Sequence, residues 1–286
     1  MSALYKSEEG ARAVAARYRE ILSHWPVANE QLHVPTSQGD AFVIASGAKD
    51  APPLILLHGS AANSAMWMRD VLQWSTQFRV YAIDMIGEPG LSAPVRPSLK
   101  SGAYAPWLGE VIAGLGLDRD RMSLVGISLG GWLALSWATQ NPACVEKLVL
   151  LCPGGVGRQK MSFMFKALPL LLLGKWGRKK AMALAAGPSR GDAALANPAY
   201  VEFQSLIFRH FRTRKEPLPV FDDASLKRLA MPVMLIAGGR DALLDSYDTK
   251  RRLEALLPRL TVLFLPDEGH FLTGHGSAIF DYLRAP

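Results

Sequence analysis

Apolar and polar positions along the chain fall into two successive rhythms. From Glu8 to Ser23 their spacing suits a helix, and Pro26 stops it. "QLHVPT" and "DAFVIAS" then flank a Ser-Gln-Gly turn and predict a hairpin. From Pro53 the chain alternates. "PLILLHG" predicts a short buried strand and the stretch around Ala65 to Ser75 a helix. "RVYAID" predicts the next strand, "GEPGLSAP" a loop, and "GAYAPWLGEVIAGLG" a helix. "MSLVGIS" then reads as strand, "LGGWLALSWATQN" as helix and "VEKLVLLCP" as strand. Continuous apolar strands alternating with helices imply a parallel sheet covered on both faces.

The alternation stops at Gly154. Up to about Leu229 the chain is helical in character and offers no clear strand. It resumes with "PVMLIAGGRD", a helix around Asp248 to Leu257, "LTVLFLPDEGH" and a final helix. A stretch this long between two strands exceeds an ordinary loop, so a helical lid or cap is expected there. The predicted organisation is a core from 1–153, a cap from 154–229 and the rest of the core from 230–286.

Composition narrows the class. The chain has 286 residues, 49% of them hydrophobic, enough for a sizeable core. Cys144 and Cys152 are the only cysteines; they form neither a CxxC nor a metal-ligand spacing, and both read as buried reduced thiols. The N-terminal stretch carries charge throughout and lacks the apolar core of a secretory signal. The longest apolar run, Phe163 to Gly174, is broken by Lys166 and Pro169 and falls short of the roughly 20 residues a spanning helix needs. These features predict a soluble, cytoplasmic protein, and nothing in them sets an oligomeric state. The net charge of +7 is uneven: Val156 to Glu216 carries twelve Lys/Arg against three Asp/Glu, a balance of +9, while the remaining twenty against twenty-two give −2. No aromatic-interleaved motif accompanies that basic segment, so it does not predict nucleic-acid binding. Its apolar residues, Met161, Phe163, Phe165, Leu168, Leu170 to Leu173 and Trp176, lie among Lys160, Lys166, Lys175, Arg178, Lys179 and Lys180. The favoured reading is an apolar face over the site with a solvated exterior; the other is weak contact with an anionic lipid surface or an acidic substrate.

The chemistry concentrates at "GISLG", Gly126 to Gly130, which fits G-x-S-x-G between a predicted strand and a predicted helix. A serine on so sharp a turn needs neighbours without bulk, and the N-terminus of the following helix favours negative charge beside it. A serine hydroxyl needs a base to take its proton, and that base needs a buried carboxylate to orient it. In this topology the order is Ser, then Asp or Glu, then His. Asp241 follows one strand and His270 follows the last, so Ser128, Asp241 and His270 are expected at one edge of the sheet.

With these motifs the chain resembles the α/β-hydrolase fold family, and in particular its capped carboxylesterase-like members. The residues carrying the resemblance are His58-Gly59, Asp84 with Gly87 and Ser92, "GISLGG", "GGRD" and "EGH", within a region from about Pro53 to Phe280. The resemblance implies an α/β fold with a mostly parallel central sheet flanked by helices and a helical cap inserted between two late strands. It implies Ser128 as nucleophile, His270 as general base and acid, Asp241 as its orienting carboxylate, and the backbone N–H groups of Ser60 and Leu129 as oxyanion hole. Family members commonly carry a glycine-histidine-glycine loop where this chain has "GEPGLS", so no catalytic task is assigned to that loop.

Each assignment has a rival. His275 competes with His270, and Asp245 and Asp248 compete with Asp241 but read as part of the next helix. His58 and Asp84 are expected to brace their loops. Trp67, Trp107 and Trp132 are candidates for a pocket or for plain core packing. No cofactor, metal, nucleotide or flavin site is indicated. The function expected is a serine hydrolase cleaving a small or medium carboxylic ester. Hydrolysis of a carbon–carbon bond ranks lower, because the glycine-proline-glycine stretch usual after His-Gly in such relatives is "SAANSA" here. A non-catalytic ligand-binding protein on the same scaffold is the third reading.

Overall fold

The structure is a computed structural model that describes residues 4–118, 120–160, 169–170, 174, 176–177, 180, 183–184, 187–188 and 198–286. The predicted N-terminal helix is α1 (Glu8–Leu22), with Ser7 as its N-cap accepting from the Gly10 amide and Glu8 and Glu9 in its first turn. The hairpin follows as β1 (Asn29–Val34) and β2 (Ala41–Ser46), paired antiparallel. Next come β3 (Pro53–Leu57), a 3-10 turn at Ser64–Trp67, α2 (Met68–Trp74), β4 (Arg79–Ile83) and α3 (Tyr104–Gly114). They are followed by β5 (Met122–Ile127), α4 (Leu129–Ala138) and β6 (Val145–Leu151). After the intervening segment the chain adds α5 (Pro198–His210), α6 (Asp223–Leu226), β7 (Val233–Gly238), α7 (Ser246–Leu256), β8 (Leu260–Leu265) and α8 (Gly276–Arg284).

The eight strands form one sheet in the order β1-β2-β4-β3-β5-β6-β7-β8. β2 pairs antiparallel with β4, and every pairing from β4 to β8 is parallel. The central strands are buried along their whole length, which is why they read as unbroken apolar runs rather than alternating ones. Alternate residues still face opposite layers. Leu124, Leu148 and Leu235 meet α3, α4 and α7, whereas Val125, Val149 and Ile236 meet α2 and α8. Trp107 and Trp132 belong to the first layer, as plain core residues. Each large apolar side chain removed from water in this way contributes roughly 1.5–3 kcal/mol before entropy is counted.

The described residues at the end of the segment between β6 and β7 pack on the core. α5 packs on α1: Phe203, Ile207 and Phe211 share a buried cluster with Leu4, Val14 and Tyr18, and the Tyr18 and Phe203 rings stack at 5.9 Å. A backbone bridge joins Tyr5 to Phe211, with Lys6 N–H donating to His210 O and Arg212 N–H to Leu4 O, each at 2.8 Å. The N-terminal helix is thus a partner of the insertion, a contact between chain-distant elements that periodicity does not report. Most of the basic, apolar stretch expected between Met161 and Lys180 lies outside the described residues. Among the described residues no helix is long and apolar enough to cross a membrane.

Candidate active site

The turn between β5 and α4 is as tight as its glycines suggest. Ser128 has φ 54° and ψ −108°, a conformation L-residues rarely adopt. Its amide donates to Leu151 O at 2.9 Å, and its own carbonyl accepts from Trp132 and Gly154, each at 3.0 Å. These bonds over-determine the strained residue and hold its side chain at the end of the strand. A Cβ at Gly130 would sit 2.1 Å from Leu57 O, and one at Gly126 would sit 2.5 Å from Gly130 O, so neither position admits a side chain.

Three loops at the carboxyl edge of the sheet meet here. His270 Nε2 lies 3.0 Å from Ser128 Oγ, and His270 Nδ1 lies 2.7 Å from Asp241 Oδ2. Asp241 and His270 are buried, while Ser128 remains partly exposed. Asp241 Oδ1 accepts the amides of Leu243 and Leu244 at 2.7 and 2.9 Å. Burial alone would raise the Asp241 pKa, but the His270 hydrogen bond, the imidazole's charge and the two amides outweigh it and hold the carboxyl below its ordinary value. An ionised carboxylate against Nδ1 fixes the tautomer that protonates Nδ1 and leaves Nε2 free to accept from Ser128.

The competing residues are occupied elsewhere. His275 Nε2 faces Glu268 Oε2 at 3.4 Å. Asp245 caps α7 by accepting the Asp248 amide at 3.1 Å, and Asp248 pairs with Arg251 at 2.5 Å. His58 accepts the Met85 amide on Nε2 at 2.9 Å and meets Gly59 O through Nδ1 at 2.8 Å, an Nδ1-protonated imidazole. Burial pushes its pKa down and keeps it neutral. Asp84 accepts from the Tyr18 hydroxyl, the Ser64 amide and the Ser64 hydroxyl at 2.8–2.9 Å, and from the Leu91 amide at 2.8 Å. Both residues brace loops, as the sequence suggests, and Asp84 also ties α1 to the site.

The amides expected to form an oxyanion hole lie on the loop after β3 and at the first residue of α4. Leu129 is one of the helix's opening residues, whose N–H groups have no intrahelical acceptor. Neither the Ser60 nor the Leu129 amide has an acceptor among the described residues. Ala61, next to Ser60, has φ 55° and donates its amide to Glu88 Oε2 at 2.7 Å.

A cavity of about 840 Å³ lies between α1, α2 and the loop after His270; Ser128 and His270 are not among the residues that line it. Ile127 and Phe271, the neighbours of Ser128 and His270, line it, with Trp67, Met66, Leu151 and Leu272. Trp67 is therefore the one of the three flagged tryptophans that lines this cavity. Asp70 also faces it, and burial raises the Asp70 pKa to about 6, with Arg69 offsetting only part of the effect.

Sequence reasoning missed Glu88, Arg214 and Asp70, and it expected Cys152 only as a buried thiol, without its place beside the site. Cys152, at φ 39°, is buried beside the Asp241–His270 pair, and burial holds its thiol well above the ordinary pKa. Ligand atoms of Cys152, Asp241 and His270 lie within 4.8 Å of one another, and among the described residues this is the grouping with metal-ligand spacing. Asp241 and His270 are already hydrogen-bonded to each other, so a metal there would have to break that pair. Glu88 had one legible signal, a lone acidic residue in a loop at the same sheet edge.

A sequence profile described as the alpha/beta hydrolase family matches residues 54–281. The chain is 33% identical over 270 residues to the carboxylesterase YbfK of Bacillus subtilis (strain 168), covering 93% of this chain and 90% of that protein. It superposes on the crystal structure of that carboxylesterase with a TM-score of 0.77 at 30% identity, covering 92% of each chain. The crystal structure of naproxen esterase (carboxylesterase NP) from Bacillus subtilis matches with a TM-score of 0.82 at 26% identity, over 97% of this chain and 98% of that one.

Proposed function

The chain belongs to the alpha/beta hydrolase family and is a carboxylesterase-type serine hydrolase, and from that premise we propose that ester cleavage runs through an acyl-enzyme on Ser128. The observation that carries this reading is the continuous hydrogen-bonded chain from Asp241 through His270 to Ser128. Ser128 Oγ attacks the ester carbonyl while His270 Nε2 takes its proton. The carbonyl electron pair moves onto oxygen, where the Ser60 and Leu129 amides receive it; donors so placed contribute about 3 kcal/mol each in comparable sites. His270 returns the proton to the departing alcohol oxygen. Water then attacks the acyl carbonyl, His270 takes and returns the proton again, and the acid leaves with Ser128 regenerated. Asp241 stays ionised throughout and stabilises the imidazolium.

The substrate is a small-molecule carboxylic ester, and the cavity beside Ile127 and Phe271 takes one of its two arms. Its mainly apolar wall suits a hydrocarbon or aryl group. The segment 154–229 acts as a cap. Supporting this, its described residues touch the site loops: Gly154 N–H donates to Ser128 O at 3.0 Å and Gly269 N–H to Pro188 O at 2.6 Å. The test is turnover of chromogenic esters of graded acyl and alcohol size by the wild type and by Ser128→Ala. Saturable hydrolysis that falls by on the order of 10⁶ in kcat in the variant is expected. Equal turnover by a folded Ser128→Ala protein would overturn the assignment.

A further inference from the structure

The buried acid in the "GEPGLS" loop has no part in the mechanism above. Glu88 follows β4, and its side chain is 0% exposed. Its Oε2 accepts the Ala61 amide at 2.7 Å and lies 3.4 Å from the Ser60 hydroxyl. Its Oε1 faces Nε of Arg214 at 3.7 Å, and neither of those two buried atoms has a hydrogen-bond partner among the described residues. Arg214 comes from the segment between β6 and β7, with a side chain only 6% exposed. It is held in turn by Pro97 O at 3.3 Å, Glu216 at 3.4 Å and the Tyr104 hydroxyl. Arg96 supports the same junction, donating to Gly87 O at 2.9 Å and to Arg212 O at 2.7 Å.

Burying an acid here is unfavourable; desolvation raises its pKa, against the Ala61 amide and the charges of Arg214 and Arg96. An apolar side chain would fill the space without that cost, so the carboxylate's use lies in its two oxygens. One fixes the Ser60–Ala61 peptide and with it the positive φ of Ala61, directly after the Gly59–Ser60 peptide that carries the Ser60 N–H. The other faces the buried guanidinium of Arg214 as an ion pair at 3.7 Å. We propose that Glu88 is a positioning residue that sets the direction of the Ser60 amide and couples the oxyanion loop to the cap through Arg214. This rests on the reading of Ser60 as an oxyanion donor given above.

A carboxamide at this position has one acceptor oxygen for two donors. In Glu88→Gln the charge that faces Arg214 is lost, and an oxygen drawn to the guanidinium leaves the amide nitrogen against the Ala61 N–H. The Ser60 amide then loses its direction, and kcat is expected to fall ~10-fold, less than the ~10²–10³ lost when an oxyanion donor is deleted outright, with KM changed less than ~3-fold. In the double variant Glu88→Gln/Arg214→Met the oxygen is free to accept from Ala61, so kcat rises above that of Glu88→Gln. The inhibition constant of a trifluoromethyl ketone, whose serine adduct carries an oxyanion, follows kcat/KM through the series. Binding of the product acid stays constant. Fluorophosphonate labelling of Ser128 is measured alongside. If the wild type does not label, the nucleophile assignment fails; if all variants label and stay folded but share the wild-type kcat and ketone affinity, the role of Glu88 fails. Loss of kcat that tracks a fall in Tm at unchanged ketone affinity, or a double variant slower than Glu88→Gln, also overturns it.

Discussion

Replacing Asp70 with asparagine should make the protein more stable, and increasingly so as pH rises. The Asp70 carboxyl projects from the first turn of α2 toward Gly276, where an added Cβ would approach its Oδ1 to 2.2 Å. Burial raises its pKa from 3.8 to about 6, opposed only by Arg69. The folded state therefore holds this proton over a pH range in which the unfolded chain has released it. Stability falls as pH rises from the unfolded value to the folded one, and the full penalty is present above about 6. A shift of about two pKa units corresponds to about 3 kcal/mol, an upper bound because the side chain keeps some exposure to the cavity. About 1 kcal/mol of that is already present at pH 4.5, so the advantage of Asp70→Asn should grow by about 2 kcal/mol between pH 4.5 and 8. Urea unfolding of both proteins across that range, with m-values compared, reads the difference directly. Parallel stability profiles would show that Asp70 titrates normally and that the reasoning is wrong.

Gly130→Ala should abolish folding or cost well over 3 kcal/mol, because the new methyl group meets the Leu57 and His58 carbonyls at 2.1–2.6 Å; recovery of soluble protein with an unchanged Tm would refute the tight-turn argument. Phe203→Ala removes a fully buried ring stacked on Tyr18. It should cost about 3–5 kcal/mol and raise amide exchange in α1 as well as α5. Exchange confined to α5 would show that the two helices are not mutually supporting.

Much of this architecture is visible in one sequence because its determinants are local. β3 to β7 announce themselves as apolar runs since both faces are covered, and "GISLG" is legible because a strained serine excludes bulk on either side. Asp241 and His270 are nominated by their places after strands. What stayed hidden depends on chain-distant contacts. Nothing near Tyr18 signals that its hydroxyl bonds to Asp84, or that its ring stacks on Phe203. Arg214 is one of many basic residues in its segment until the fold sets it against Glu88. The departure of "GEPGLS" from the usual glycine-histidine-glycine loop was legible, whereas its purpose needed the Ala61 amide and Arg214 in place.

The nucleophile assignment is tested most directly by mass-spectrometric mapping of the fluorophosphonate adduct on folded protein. One adduct is expected, on Ser128, lost in His270→Ala and retained in His275→Ala, since His270 Nε2 lies 3.0 Å from Ser128 Oγ and His275 faces Glu268 instead. An adduct on another residue, none at all, or labelling that depends on His275 rather than His270 would contradict the assignment.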